Sequence, residues 1–216
     1  MEKNSNSTLW FILSVSVVLY LIQLIQFLTG YDFSTFGIYP RSFSGIKGII
    51  FSPFLHGSFG HLSSNLLVLA IGIFILFEFY KQWAWEVLLW IWIVGGLMVW
   101  AFGRESYHLG SSGLIYGINF FIFTSGILLQ NFKTISLALV IILMNQGMFW
   151  GIVPVDAPVS WEGHFYSAVV GISLAFHLKK EIHQTLFPKQ NDDTTELPEE
   201  VWNYPQNFYH QERLEE

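Results

Sequence analysis

The sequence predicts an all-α membrane protein, a bundle of six transmembrane helices with a long interfacial first loop. Two observations support this fold class. Of the 216 residues, 52% are hydrophobic and only 12% are charged, whereas a soluble domain carries roughly 25% charged residues. Six apolar stretches reach or approach the roughly 20 residues needed to cross the hydrocarbon core. This composition excludes a cytosolic enzyme, a nucleic-acid binder and a disordered chain. The lack of cysteine excludes disulfides and a catalytic thiol.

The predicted spans alternate in direction and place both termini in the cytoplasm. The first is too long for a signal peptide and no small-x-small site follows it, so it is predicted to remain as a span. Cytoplasmic termini put five lysines beside inner span ends, among them Lys179 and Lys180, and only Arg41, Lys47 and Arg104 outside, as the positive-inside rule favours. We therefore expect a multi-pass protein of the plasma membrane. The predicted spans are 9–28, 62–77, 83–102, 109–130, 135–153 and 159–178.

Three regions are predicted along the chain: a short cytoplasmic N-terminus (1–8), a membrane domain (9–180) and an acidic cytoplasmic tail (181–216). Residues 187–216 hold two basic and eight acidic side chains and so carry the whole net charge of −6. This composition predicts a solvated, largely disordered tail. The connection from 29 to about 60 is long and apolar, which predicts that it lies in the membrane interface.

Polar side chains are few in the predicted spans, and three of them share one depth. At a rise of about 1.5 Å per residue, Asn65, Ser112 and His164 lie roughly 5 to 8 Å below the outer start of their spans. Polar groups inside a membrane protein are candidates for function because each is costly unless it is paired or meets water. The convergence of three helices at one depth therefore favours a single site.

The residue types at this depth favour serine chemistry. A zinc protease needs two histidines at i and i+4 with a glutamate, but Asn65 stands four residues after His61. An intramembrane aspartyl protease needs two carboxylates at similar depth, but Asp32 and Asp156 lie in predicted loops. Ser112 instead stands at a helix start in the run GSSG, where glycines allow close approach of a backbone or a substrate. Such a helix start also offers backbone N–H groups to an anion.

Each of these signals has a purely structural alternative. The run 110–117 is also typical of a small-residue packing face. His164 alone is compatible with an interfacial histidine bonded to a carbonyl. His61 and Asn65 are compatible with a hydrogen-bonded pair at a helix entry. The remaining polar residues are interpreted as interfacial, solvated or bonded across helices, and these are His108, His177, His183, His210, Asn145 and Gln146.

Taken together, these residues resemble the rhomboid intramembrane serine proteases in their six-span bacterial form. The resemblance extends from about residue 48 to 178. It depends on FLHGSFGHLSSN at 54–65, GSSGLIYG at 110–117, and Gly163-His164 with Gly171 seven residues later. These motifs fall in order on the second, fourth and sixth predicted spans. The resemblance implies a rhomboid-like bundle with neither metal nor other cofactor.

The resemblance also implies roles for individual residues. Ser112 is the expected nucleophile and His164 its general base, with Tyr116 stacked on the imidazole. His61 and Asn65 are expected to stabilise the tetrahedral intermediate, together with the N–H groups of Ser111 and Ser112. The remaining expected supporting residues are Gly110 and Gly113, which permit close approach, and His56, which braces the first loop.

The activity implied is that of a serine endopeptidase that cuts single-span or polytopic membrane proteins near the outer face. The alternative is a catalytically silent rhomboid-like protein that binds transmembrane helices. Two positions depart from the family pattern. Lys47-Gly48 stands where many relatives have Trp-Arg, which leaves the detail of the first loop open. Ser167 stands where a glycine is common, which bears on packing between the fourth and sixth spans.

Overall fold

The computed structural model describes residues 5–145, 147–154 and 160–188. Within these ranges the chain forms seven α-helices, three short 3-10 turns and no named strand, so the predicted all-helical fold class is confirmed. The described residues up to 182 form one compact unit, and those from 183 onwards, of which 183–186 belong to the last helix, are assigned to a second. The helices are α1 (Ser5–Thr29), α2 (Gly48–Phe51), α3 (Phe59–Phe79), α4 (Ala84–Phe102), α5 (Ser112–Leu129), α6 (Phe132–Met144) and α7 (Trp161–Leu186).

Four of the described helices, α1, α3, α4 and α5, are long and apolar enough to cross a membrane. Helix α7 has 26 residues but carries Lys179, Lys180 and Glu181 in its second half. Helix α6 has 13 residues and so spans only about 20 Å. The prediction of a continuous span over 135–153 was therefore too long.

Helix α6 ends early for a reason that is visible in the sequence. Asn145 leaves the helical conformation, with φ −131° and ψ 65°. Turns follow, in which the N–H groups of Trp150 and Gly151 both donate to the Gly147 carbonyl, at 3.0 and 2.9 Å. Asparagine and glycine both favour turns over helix continuation. The uncharged stretch is thus divided into a short helix and a folded segment, 147–154.

Contacts at both ends fix α1 antiparallel to α3. At the start of α1, Thr8 Oγ1 donates to Glu78 Oε1 at 2.7 Å. Towards the end of α1, the Tyr20 and Ser63 hydroxyls share a hydrogen bond of 2.8 Å. Phe27 meets the first residue of α3, Phe59, with ring centroids 5.9 Å apart. The start of α1 therefore lies at the end of the bundle opposite the start of α3.

Small residues let α5 lie at the centre of the bundle. A Cβ on Gly171 of α7 would overlap the Gly117 carbonyl of α5, so these backbones touch. Ser167 fills the space next to two other glycines, because its Oγ lies 2.6 Å from an ideal Cβ on Gly95 and 3.2 Å from one on Gly113. Serine at this departure from the family pattern therefore packs closely between α4, α5 and α7.

The first loop packs against α4, which holds it by two hydrogen bonds. Trp92 Nε1 donates to the Ile49 carbonyl at 2.8 Å, and Trp100 Nε1 donates to the Ser42 carbonyl at 2.9 Å. At the other departure from the family pattern, Gly48 is required because a Cβ there would overlap the backbone of residues 37–38. Phe43 is 93% exposed, as expected for a loop in the membrane interface.

Candidate active site

Ser112 and His164 meet at the end of the bundle where α3, α5 and α7 begin. Ser112 is the first residue of α5 and His164 is the fourth of α7. His164 Nε2 lies 2.8 Å from Ser112 Oγ. The chain turns sharply into α5 at Gly110, which has φ +113° and donates its N–H to the Ser52 carbonyl at 2.9 Å. A side chain at this φ would be strained, which explains the glycine.

The other imidazole nitrogen determines which tautomer is present. His164 Nδ1 lies 2.9 Å from the Gly151 carbonyl oxygen. A carbonyl only accepts hydrogen bonds, so Nδ1 carries the proton and Nε2 presents its lone pair to the Ser112 hydroxyl. This is the tautomer that a general base requires. Gly151 was not among the predicted site residues, since a main-chain carbonyl has no signature in residue type.

Tyr116 stacks on the imidazole of His164, as the resemblance implied. The ring centroids are 3.9 Å apart and the planes differ by 2°. Tyr116 lies one turn after Ser112 in α5, so a single helix places both the hydroxyl and the stacking ring. The stacked ring leaves the imidazole little freedom to rotate away from Ser112.

His61 and Asn65 lie on one face of α3 against Gly110. The Ser58 side chain caps α3 by accepting the His61 N–H at 3.1 Å. A Cβ on Gly110 would lie 3.4 Å from His61 Cε1 and 3.8 Å from Asn65 Nδ2. The Asn65 Nδ2 atom is buried and has no hydrogen-bond partner among the described residues. An amide donor is therefore free beside the start of α5.

Ser111 differs from its predicted place. Its side chain is 1% exposed, and both its hydroxyl and its N–H bond to His56 Nε2, at 3.2 and 3.3 Å. The Ser111 N–H is thus engaged away from the site, which leaves the N–H of Ser112 from the predicted backbone pair. His56 also accepts a bond from Gln26 of α1 through its carbonyl, at 3.3 Å. His56 therefore connects α1, the first loop and the start of α5.

Side chains at the starts of α3, α5 and α7 surround a cavity of about 580 Å³. Its walls combine polar groups with a few apolar ones, among them Val68 and Ile115. Gly113 faces the other way and packs against Ser167 and Gly163. No three described side chains of the metal-ligating kinds lie close enough together to hold a metal ion. The predicted site residues that line the cavity are His61, Asn65, Ser112, Tyr116 and His164.

Comparison with known proteins assigns the family. The sequence model of the Rhomboid domain matches residues 44–181. The chain belongs to the rhomboid family. With its several apolar helices, this rhomboid is a multi-pass membrane protein.

Proteins similar in sequence to this rhomboid occur in mycobacteria. It is 33% identical to uncharacterized proteins of Mycobacterium tuberculosis and Mycobacterium bovis over 177 residues, which cover 77% of this chain and 73% of theirs. It is 30% identical to an uncharacterized protein of Mycobacterium leprae over 184 residues, which cover 81% of this chain and 72% of that one.

A second polar cluster of the rhomboid holds the start of α7 and was not predicted. His108 is 4% exposed, contrary to its interpretation as interfacial or solvated. Its Nδ1 lies 2.6 Å from Ser160 Oγ, which in turn accepts the Gly163 N–H at 3.3 Å. Beside it, Arg104 Nε lies 3.3 Å from the buried Glu162 carboxylate. Burial lowers the pKa of His108, so the cluster is built around a neutral imidazole.

The end of α6 and the segment that follows it lie beside the rhomboid cavity. Asn145 lines the cavity. Phe149 packs against the Phe120 and Phe123 rings of α5, with centroids 5.7 and 5.5 Å apart, whereas Trp150 is 76% exposed. The sequence predicts a cap over 151–160, of which 155–159 lie outside the described residues, as does Gln146.

Proposed function

We propose that this rhomboid is an intramembrane serine endopeptidase in which Ser112 is the nucleophile and His164 the general base. The observation that carries the proposal is the 2.8 Å contact between Ser112 Oγ and His164 Nε2. It lies in a polar cavity at one end of an apolar bundle. A hydroxyl activated by an adjacent base is the arrangement that nucleophilic catalysis requires.

The reaction proceeds in two acyl-transfer steps. Ser112 Oγ attacks the carbonyl carbon of the scissile peptide bond while His164 Nε2 takes the hydroxyl proton. The tetrahedral intermediate collapses as the C–N bond breaks, and His164 returns the proton to the leaving amine. Water then attacks the ester, His164 removes one of its protons, and the second intermediate releases the acid and the Ser112 hydroxyl.

The developing oxyanion meets donors from two helices. The free Asn65 Nδ2 of α3 is the first, supported by His61 one turn earlier and by the N–H of Ser112 at the start of α5. In other enzymes, removal of one such donor costs about 10²–10³ in rate. Inside a low-dielectric bundle, oriented donors of this kind act more strongly than they do in water.

The proposed substrates are single-span or polytopic membrane proteins cut close to the outer surface of the plasma membrane. A transmembrane helix hides its carbonyl groups in its own hydrogen bonds. Cleavage therefore requires the helix to unwind near the scissile bond, which small or helix-breaking residues favour. Both termini of the protease are proposed to be cytoplasmic, so that the cavity opens towards the outside.

The test compares the parent protein with Ser112→Ala in detergent. We expect the parent to react with a fluorophosphonate and to cleave a membrane-anchored reporter, and Ser112→Ala to do neither. Ser173→Ala is the matched control, because the exposed Ser173 hydroxyl bonds only to its own helix, at the Val169 carbonyl. Retained cleavage in Ser112→Ala would refute the assignment. A parent that binds transmembrane helices but neither labels nor cleaves would favour the catalytically silent alternative.

A further inference from the structure

The acceptor that orients His164 belongs to a short folded segment outside the helix bundle. Residues 147–154 are held by turn bonds, including the bond from the Gly151 N–H to the Gly147 carbonyl at 2.9 Å. Two residues inside this turn anchor the segment: Met148 is fully buried, and Phe149 lies against Phe120 and Phe123 of α5. Helix α5 thus carries Ser112 at its start and seats the segment that contacts His164.

We propose that Gly151 is a positioning residue for the base: its main-chain carbonyl, seated by Phe149 on α5, holds the Nδ1–H of His164 so that Nε2 faces Ser112. The inference rests on the proposed function and deepens it. In this arrangement a backbone carbonyl occupies the place that a carboxylate takes in a catalytic triad. The base is competent only while the segment after α6 is seated.

The absence of a side chain at Gly151 is a requirement of the geometry. A Cβ there would overlap Tyr116 Oη and lie 2.6 Å from Tyr116 Cζ. The carbonyl of Gly151 and the ring of Tyr116 therefore contact the same imidazole from two directions. Gly147, four residues earlier, has nothing within 4 Å of an added Cβ. The two glycines of one segment thus differ sharply in the room available to a side chain.

The carbonyl acts at two stages of the proposed reaction. In the resting site it selects the tautomer, because a neutral imidazole with its proton on Nε2 cannot accept the Ser112 proton. After proton transfer the ring is an imidazolium, and its Nδ1–H again needs an acceptor because His164 is only 6% exposed. An unpaired charged donor in such surroundings is costly. Loss of the carbonyl therefore impairs the base without altering the nucleophile.

The first experiment separates orientation of the base from control of substrate entry. Gly151→Ala is compared with the matched control Gly147→Ala, by labelling with a small fluorophosphonate and by cleavage of a membrane-anchored reporter. We expect Gly151→Ala to lower both rates by about 10²-fold, the effect of misplacing a reacting group by about 1 Å. Gly147→Ala is expected to stay close to the parent. A Gly151→Ala protein that labels normally but cleaves differently would show a gate only and would overturn the inference.

The second experiment does not depend on activity. Nitrogen-15 spectra of histidine-labelled protein report the tautomer of each imidazole, and His164→Gln identifies the His164 signals. We expect His164 of the parent to carry its proton on Nδ1, and Gly151→Ala to mix the two tautomers. A parent with the proton on Nε2 would refute the inference even if Gly151→Ala fails to fold. A parent with the expected tautomer but no labelling would refute the proposed function and leave the positioning role of Gly151 intact.

Discussion

The imidazoles of His56 and His164 have different hydrogen-bond partners, and the two histidines are used differently. His164 turns one nitrogen to a hydroxyl and the other to a carbonyl. His56 turns Nε2 to the N–H of Ser111, so this nitrogen must be an acceptor. The first arrangement is suited to moving a proton. The second is suited to holding the entrance of α5 in place, and it works only while His56 is neutral.

The role of His56 predicts that stability falls in acid. Burial, together with the nearby His61, lowers the pKa of His56 from 6.5 to about 4. Between these values the unfolded chain binds a proton at His56 that the folded protein does not, so the contribution of His56 to stability is lost as the pH falls from about 6.5 to about 4. The loss reaches about 3 kcal/mol for a shift of this size. Unfolding midpoints measured in detergent across this range will show it.

The matched variant for this prediction is His56→Gln. A glutamine amide oxygen can still accept the Ser111 N–H, but it does not titrate. We expect His56→Gln to have a shallower dependence of stability on pH than the parent. A slope remains in this variant, because His108 is among the other groups whose pKa is lowered by burial. Equal slopes in the parent and in His56→Gln would contradict the prediction.

The sequence could predict the site residues that act through their side chains, but not one that acts through its main chain. Ser112, His164 and Tyr116 have types and spacings that are typical of a family, and the structure brings them together. Gly151 acts through a main-chain oxygen, which every residue possesses. His108 was misjudged because its burial depends on an antiparallel bridge between residues 38 and 108, a long-range contact without a local signal.

Among the helices, the contact that matters most for the site is that between α5 and α7. Their backbones touch at Gly117 and Gly171, five and seven residues after Ser112 and His164. Small residues at such a crossing allow the close approach on which packing in membranes depends. The distance between nucleophile and base is therefore expected to depend on two glycines that do not line the cavity.

Widening this crossing should disable the site. Gly171→Ala places a methyl group into the Gly117 carbonyl, so α7 must move outward, and overpacking of this kind costs about 1–3 kcal/mol. We expect a lower unfolding midpoint and slower fluorophosphonate labelling. Gly60→Ala is the control, because its nearest neighbour would be Ser58 Oγ at an ordinary 3.9 Å. Parent-like labelling in Gly171→Ala would show that the crossing does not determine the Ser112–His164 distance.

The apolar pattern predicted the positions of the helices well, but it did not predict where each helix ends. The first four predicted spans lie within or overlap α1, α3, α4 and α5. The fifth was extended too far because hydropathy treats the helix end at Asn145 and the turns at 147–151 as part of an apolar stretch. For Ser167 the sequence indicated packing against the fourth span, where Gly113 lies, but not the contact with Gly95 of α4, which has no local signal.

In the bundle as a whole, the polar residues of the candidate site lie together at one end, here called the polar end. Helices α3, α5 and α7 begin at the polar end with His61, Ser112 and His164. Because α1 is antiparallel to α3, the start of α1 lies at the opposite end, near Glu78. Lys133, at the start of α6, reaches the same end, with its Nζ 5.2 Å from the Phe79 ring. This arrangement separates the cavity from the side predicted to be cytoplasmic.

The final prediction assigns these two ends to the two sides of the membrane. The chain contains no cysteine, so single cysteines can be introduced without background. We expect Glu105→Cys, exposed near the cavity, to react with a membrane-impermeant maleimide on intact cells. Asn6→Cys and Gln82→Cys are also exposed but lie at the opposite end, and should react only after permeabilisation. The reverse pattern would place the cavity in the cytoplasm and exclude cleavage near the outer face, whatever the chemistry of Ser112.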